Sequence, residues 1–319
     1  MTSLFERIAR WARAVPRALR RIGLLPPAAP DQWLDGHFEH QHRNVDYKLF
    51  VPGRGAGRPR PLLLMLHGCT QDPEDFATGT RMNRIAAELG FLVIYPTQTQ
   101  RANAGKCWNW FLPQHQQAGR GEPALLAALT QAAMREHGAD PARVYVAGLS
   151  AGGSMADILG RTYPGLFAAV GVHSGLPSGV ARDLLSALGA MKNGPGKASA
   201  GGPMRPTIVF HGDADETVHP RNGAQVAADA VGALLGGGGH PPAHEMRGRS
   251  EGGRAFTRWT YADARGGIMV EHWLLHGTGH AWAGGSADGS FTDPAGPDAS
   301  AEMLRFFLSH PMSNRTGMR

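Results

Sequence analysis

The sequence predicts an α/β fold, a mostly parallel sheet with helices on both faces, and three observations carry that prediction. Short, almost uninterrupted apolar runs recur along the chain, helical patterns lie between them, and one run ends in a serine between two glycines and passes straight into a helix. Strands buried on both faces lose the alternation of a half-exposed strand and read as continuous apolar segments. Strands and helices in regular alternation imply a sheet covered by helices on each side.

The elements follow in chain order. Past a proline-rich linker at 24–30 (LLPPAAP), strands are expected at 61–68 (PLLLMLHG), 91–96 (FLVIYP), 143–148 (RVYVAG), 167–175 (FAAVGVHSG) and 206–212 (PTIVFHG), each ending in glycine or proline. Helical spacing marks 80–89, 122–137, 151–162 and 222–235, and a last strand lies within VEHWLLHGTGHAW at 270–282. The glycine-rich segments 192–203 and 236–253 read as mobile surface loops. No internal repeat is visible. The expected organisation is an N-terminal tail and linker over 1–30 and one large domain over 31–319, a length that supports a sizeable core.

Composition narrows the function. Cys69 and Cys107 are the only cysteines, which excludes a disulfide scaffold and a four-cysteine zinc site. They can pair once or remain two thiols; paired, they would tie the loop around Cys107 to the loop after the 61–68 strand. The net charge of +6 is concentrated at one end: residues 1–24 carry six arginines against Glu6, a surplus of +5. Nucleic-acid binding by the main domain thereby loses its support. In that tail Leu4, Phe5, Ile8, Trp11, Val15, Leu19 and Ile22 recur at helical spacing opposite the arginines. Such a stripe suits a helix lying on a granule or membrane surface, or docked weakly on its own domain. No uninterrupted apolar core follows the basic residues, so a secretory signal is not expected. A cytoplasmic or granule-associated location is favoured, with an extracellular one as the alternative.

The chemistry centres on VYVAGLSAGGSMAD at 144–157. Gly148, Leu149, Ser150, Ala151 and Gly152 fit G-x-S-x-G, in which the glycines let strand and helix approach while the serine occupies a tight turn. Five residues alone are weak evidence; their position after a strand and before a helix makes them strong. A serine hydroxyl needs a base and an acid to orient that base, in the chain order Ser, Asp, His. HGDADETV offers Asp213 and Asp215 after a strand, and spacing leaves Asp215 only slightly ahead. His272 and His276 fall within or at the end of the last strand, whereas His280 lies in a glycine-bracketed loop free to reach the serine. The backbone N–H groups of Ala151 and Cys69 are candidates for holding a developing oxyanion. His67 precedes the serine and is read as a loop-shaping residue. Trp108 and Trp110, in a loop near the expected site opening, are candidate substrate contacts. No H-E-x-x-H or comparable zinc spacing occurs, and no metal or organic cofactor is expected.

Together LHGCTQ, CWNWF, GLSAGGSM, HGDADETV and GTGHAWAGG resemble the esterase family of polyhydroxybutyrate depolymerases, whose relatives include acetylxylan and feruloyl esterases. The resemblance runs over roughly 40–310 and leaves out the tail. It implies an α/β-hydrolase fold with Ser150 as nucleophile, Asp215 rather than Asp213 as orienting acid and His280 as base. The implied activity is serine esterase action on a hydroxyalkanoate polyester or a small ester, with removal of acetyl or feruloyl groups from carbohydrate as the alternative. A non-enzymatic granule- or membrane-binding role would require a broken triad, and all three members are present.

Overall fold

The computed structural model describes residues 29–55, 57–196, 201–236 and 243–312. The basic stretch at 1–24 lies outside the described residues. One ten-stranded sheet dominates, with strand order β1-β2-β4-β3-β5-β6-β7-β10-β9-β8. Its parallel centre is β4 (Leu92–Pro96), β3 (Arg60–Leu66), β5 (Ala139–Leu149), β6 (Ala169–His173), β7 (Thr207–Gly212) and β10 (Ile268–Leu275). Two antiparallel flanks complete it: β1 (Gln32–His40) and β2 (Arg43–Val51) on one side, β9 (Ala255–Ala262) and β8 (His244–Arg249) on the other. A short parallel pair, β11 (Trp282–Ala283) and β12 (Thr292–Asp293), stands apart from the main sheet.

Period-two geometry sorts the apolar run of β3 between two layers. Leu62, Leu64 and Leu66 pack into one core and Leu63 and Met65 into another, all fully buried. The first core is closed by α3 (Gly121–Glu136), α4 (Ala151–Thr162) and α6 (Arg221–Leu235), through Leu126, Met155 and Val226 among others. The second is closed by α1 (Pro73–Thr80), α2 (Met82–Leu89) and α7 (Ala299–Leu308), through Phe76, Ile85, Met303 and Phe306. A further α-helix, α5 (Leu184–Asn193), lies in the β6–β7 connection and is capped by Asp183, whose side chain accepts from the Ser186 N–H.

The structure adjusts the expected elements. The helix expected over 80–89 is present as α2 and starts at Met82, because Arg81, with a left-handed φ of 53°, separates it from α1, a helix not among those expected. The segment 236–253 is not loop throughout, since β8 occupies 244–249 and pairs with β9. That strand is a sheet edge and largely exposed, so it carries no apolar run to betray it. The hairpin β1–β2 on the opposite flank is not among the expected strands: β1 is an exposed edge, and β2 breaks its buried Val45, Leu49 and Phe50 with polar residues.

Candidate active site

Ser150 follows the last residue of β5 and caps α4 with φ 57° and ψ −120°, a conformation that a non-glycine residue holds only when its surroundings impose it. The surroundings are visible. A Cβ on Gly148 would lie 2.4 Å from the Gly152 carbonyl carbon, and one on Gly152 would lie 2.1 Å from the Leu66 carbonyl oxygen. The two glycines therefore permit β3, β5 and α4 to meet at van der Waals contact, and the corner they make leaves Ser150 no ordinary backbone. Its N–H donates to the His173 carbonyl at 2.8 Å, locking the corner to the end of β6. The first intrahelical bond of α4 runs from the Ser154 N–H to the Ser150 carbonyl at 2.9 Å. Ala151 precedes it, so its N–H is one of the amides a helix start leaves without an internal acceptor. The partial positive charge of that helix end favours a developing anion there.

The loop after β3 lies alongside. A Cβ on Gly68 would stand 3.6 Å from the Ser150 Cβ. Around Cys69 the neighbouring amides are engaged: Gly68 N–H with Gln71 Oε1 at 2.9 Å, Thr70 N–H with the Gly105 carbonyl at 2.7 Å, and Gln71 N–H with the Gly68 carbonyl at 3.4 Å. The Cys69 N–H makes no such bond among the described residues. Cys69 and Cys107 form a disulfide, which joins this loop to the one after β4. His67 shapes the same loop. Its Nδ1 lies 2.7 Å from the Gly68 carbonyl and its Nε2 accepts from the Gln98 N–H at 3.1 Å. Burial pushes its pKa down to about 4, so it is a neutral strut.

At the ends of β7 and β10 the acids and histidines sort into two pairs. His280 Nδ1 lies 2.7 Å from Asp215 Oδ2, with the carboxylate fully buried. Asp215 Oδ1 accepts from the Thr217 and Val218 N–H groups at 3.0 and 2.8 Å, and His211 Nε2 stands 3.3 Å from Oδ2. Burial alone would raise the Asp215 pKa; the hydrogen bonds from His211, His280 and Val218 outweigh it and hold the carboxyl well below the usual range. Asp213 instead faces His276, Oδ2 to Nδ1 at 2.7 Å, and accepts from the Gly277 N–H at 2.7 Å. His276 Nε2 is 2.9 Å from Thr257 Oγ1. His272 is buried within β10 and stacked on Trp259.

Ser150, Cys69, Asp215 and His280 thus all follow the carboxyl ends of parallel strands, on one edge of the sheet. Asp215 and His280 are in contact. Ser150 Oγ and His280 Nε2 each lack a hydrogen-bond partner among the described residues, so that link is open in this structure; such bonds are often long before substrate arrives. Trp108 and Trp110 are corrected as exposed contacts, being 2% and 5% exposed and part of the core. The Trp108 Nε1–H donates to the His67 carbonyl at 3.1 Å. The buried Glu122 carboxylate draws their loop inward, accepting from the Asn109 N–H and Nδ2–H at 2.7 Å each and from Gln98 Nε2 at 2.6 Å. His211 and Gln71 were not singled out in the sequence. The adjacency of His211 to the Gly-Asp turn is a local signal; the tie from Gln71 to Ser290 offers none, because the two lie 219 residues apart.

The sheet order and the serine corner define the class of protein as an α/β-hydrolase. Solved structures agree: an acetyl xylan esterase from Aspergillus awamori superposes with a TM-score of 0.68 at 19% identity, covering 88% of this chain and all of the other. An S-formylglutathione hydrolase from Agrobacterium tumefaciens gives 0.53 at 15%, over 88% and 98%. Within that class the chain belongs to the polyhydroxybutyrate depolymerase esterase family, whose model, "Esterase PHB depolymerase", matches residues 45–237. Poly(3-hydroxyalkanoate) depolymerase C of Paucimonas lemoignei is 31% identical over 74% of this chain and 58% of its own length. Poly(3-hydroxybutyrate) depolymerase of Ralstonia pickettii is 29% identical over 89% and 62%. Acetylxylan esterase A of Emericella nidulans is 27% identical over 74% and 80%. The chain therefore spans about three fifths of the length of the two depolymerases.

Proposed function

We propose that the protein is a serine esterase that hydrolyses short-chain hydroxyalkanoate polyester or its oligomers through an acyl-enzyme. The observation that carries this reading is the strained Ser150 corner on the same sheet edge as the Asp215–His280 pair. In the proposed reaction His280 Nε2 takes the Ser150 hydroxyl proton while Oγ bonds to the ester carbonyl carbon. The Ala151 and Cys69 N–H groups stabilise the oxyanion. The carbon–oxygen bond to the leaving alcohol then breaks, and His280 returns the proton to that oxygen. Water, deprotonated by His280, attacks the acyl-enzyme and releases the acid and free Ser150. Asp215 keeps the imidazole in the tautomer with Nε2 available and stabilises the imidazolium.

The polyester reading draws on family membership and on the two depolymerases among the relatives. Deacylation of a carbohydrate is the second reading, favoured by the acetylxylan esterase relative that matches across 80% of its own length. Both readings use the same residues. The test is release of soluble 3-hydroxybutyrate products from amorphous polyhydroxybutyrate granules, with Ser150→Ala as control. We expect release by the native protein and a loss of about 10⁴-fold or more in the variant. Activity of the variant within tenfold of the native protein would remove Ser150 as nucleophile. Hydrolysis of a soluble ester without release from granules would move the substrate to acylated carbohydrate.

A further inference from the structure

Phe291 is the one large aromatic side chain among the described residues that combines substantial exposure, 44%, with a left-handed backbone, φ 52°. Burial does not explain why a bulky residue sits where glycine is at ease. Neighbouring tethers hold it there. The Trp282 N–H donates to the Phe291 carbonyl at 2.7 Å, and the preceding Ser290 N–H donates to Asp75 Oδ1 at 2.8 Å. Gln71 Nε2 donates to the Ser290 carbonyl at 3.2 Å while its Oε1 accepts from the Gly68 N–H, so one side chain holds both the Phe291 turn and the loop of Cys69. The ring presented by this turn lies edge-on to His280, with centroids 6.4 Å apart at 77°.

We infer that Phe291 is a specificity-determining residue, an apolar wall for the alcohol side of the ester; this rests on the esterase reading above. His280 Nε2 must come within hydrogen-bond reach of the leaving oxygen to return its proton. The carbon chain on that oxygen therefore lies beside the His280 ring, where Phe291 borders it. In a hydroxyalkanoate polyester that chain begins at an alkyl-bearing secondary carbon, a group that gains by covering an aromatic face. The acyl chain leaves the carbonyl carbon on the side away from the leaving oxygen, so acyl length should not be read by Phe291.

The experiment measures kcat and KM for methyl, butyl and phenyl butyrate, which vary the alcohol, and for ethyl acetate, butyrate and hexanoate, which vary the acyl group. Phe291→Ala should raise KM for phenyl butyrate about tenfold, leave methyl butyrate within twofold, leave kcat within twofold and preserve the acyl-length profile. Phe291→Gly should show the same selective loss with a Tm equal to or above that of the native protein, because glycine accepts the positive φ. A KM change that ignores the alcohol or follows acyl length would overturn the assignment while the esterase reading stands. A fall in kcat for every ester with a shifted pH profile would make Phe291 a positioning residue for His280 instead. A native protein inactive on all of these esters would remove the esterase reading, and this inference with it.

Discussion

Asp215 is held by four contacts, whereas Ser150 Oγ and His280 Nε2 have no partner among the described residues, a division that suits the proposed roles of orienting acid, nucleophile and base. A buried histidine outside the pair shows what burial does when no carboxylate opposes it. His272 has its pKa pushed down to about 4 by burial, reinforced by the nearby His211, and its Nε2 is a buried atom with no partner. An unfolded chain protonates the same side chain near pH 6.5. Between pH 6.5 and 4 the unfolded state therefore binds a proton that the folded state refuses, and stability falls as pH falls through that window. His272→Leu should flatten the decline of Tm between pH 7 and 4.5 and leave Tm at pH 7.5 unchanged or raised, because an unsatisfied buried nitrogen is removed. The slope should not vanish, since His67 and His173 are also depressed by burial. A slope identical to the native one would contradict the account. At this scale local pattern marked Ser150 between its glycines and His280 in its glycine loop as candidates, whereas spacing left Asp213 and Asp215 nearly level and only the family resemblance settled on Asp215. The sequence was misleading for Trp108 and Trp110, because a loop tryptophan carries no local sign of the buried Glu122 that folds its loop inward.

The turn that carries His280 is held from two sides. Arg254 Nε and Nη2 donate to Asp293 Oδ2 and Oδ1 at 2.8 and 3.1 Å, Arg254 Nη1 donates to the Gly277 carbonyl at 3.3 Å, and Thr278 Oγ1 donates to Asp293 Oδ2 at 3.0 Å. From the other side come Asp213, through Gly277 and His276, and the Ala214 N–H, which donates to the Thr278 carbonyl at 3.1 Å. Asp293→Asn removes the charge that Arg254 grips and should cost about 1–3 kcal/mol in stability. Because the turn then loosens around His280, kcat for a soluble ester should fall about fivefold to tenfold with KM changed less. A Tm loss with kcat intact would leave Asp293 as structural support only. The clamp was not legible in the sequence: Arg254 and Asp293 lie 39 residues apart, and Arg254 falls at the edge of a glycine-rich stretch. The central strands were legible because burial on both faces writes itself as unbroken apolar sequence. Edge strands β1 and β8 face water and leave no such record.

Across the molecule the candidate site is assembled by the sheet, with strands β3, β5, β7 and β10 each delivering one part to a common edge. The Cys69–Cys107 disulfide, 38 residues apart, adds a covalent link between two of the loops on that edge. In the chain-entropy model closing a loop of that length contributes about 4 kcal/mol. Reduction, or Cys107→Ser with Cys69→Ser, should lower Tm by roughly 5–10 °C; an unchanged Tm would mean that the bond constrains nothing the fold does not already hold. The same bond has an optical consequence. Trp108 follows Cys107 directly, its indole N–H anchored on the His67 carbonyl and its ring tilted against the His67 imidazole at 5.5 Å. A disulfide accepts an electron from a nearby excited indole, and with the bond one residue away in the chain Trp108 should emit weakly while it is intact. Gentle reduction of the folded protein should brighten its emission without the red shift of unfolding, giving the loop beside Ser150 a built-in reporter of its own redox state.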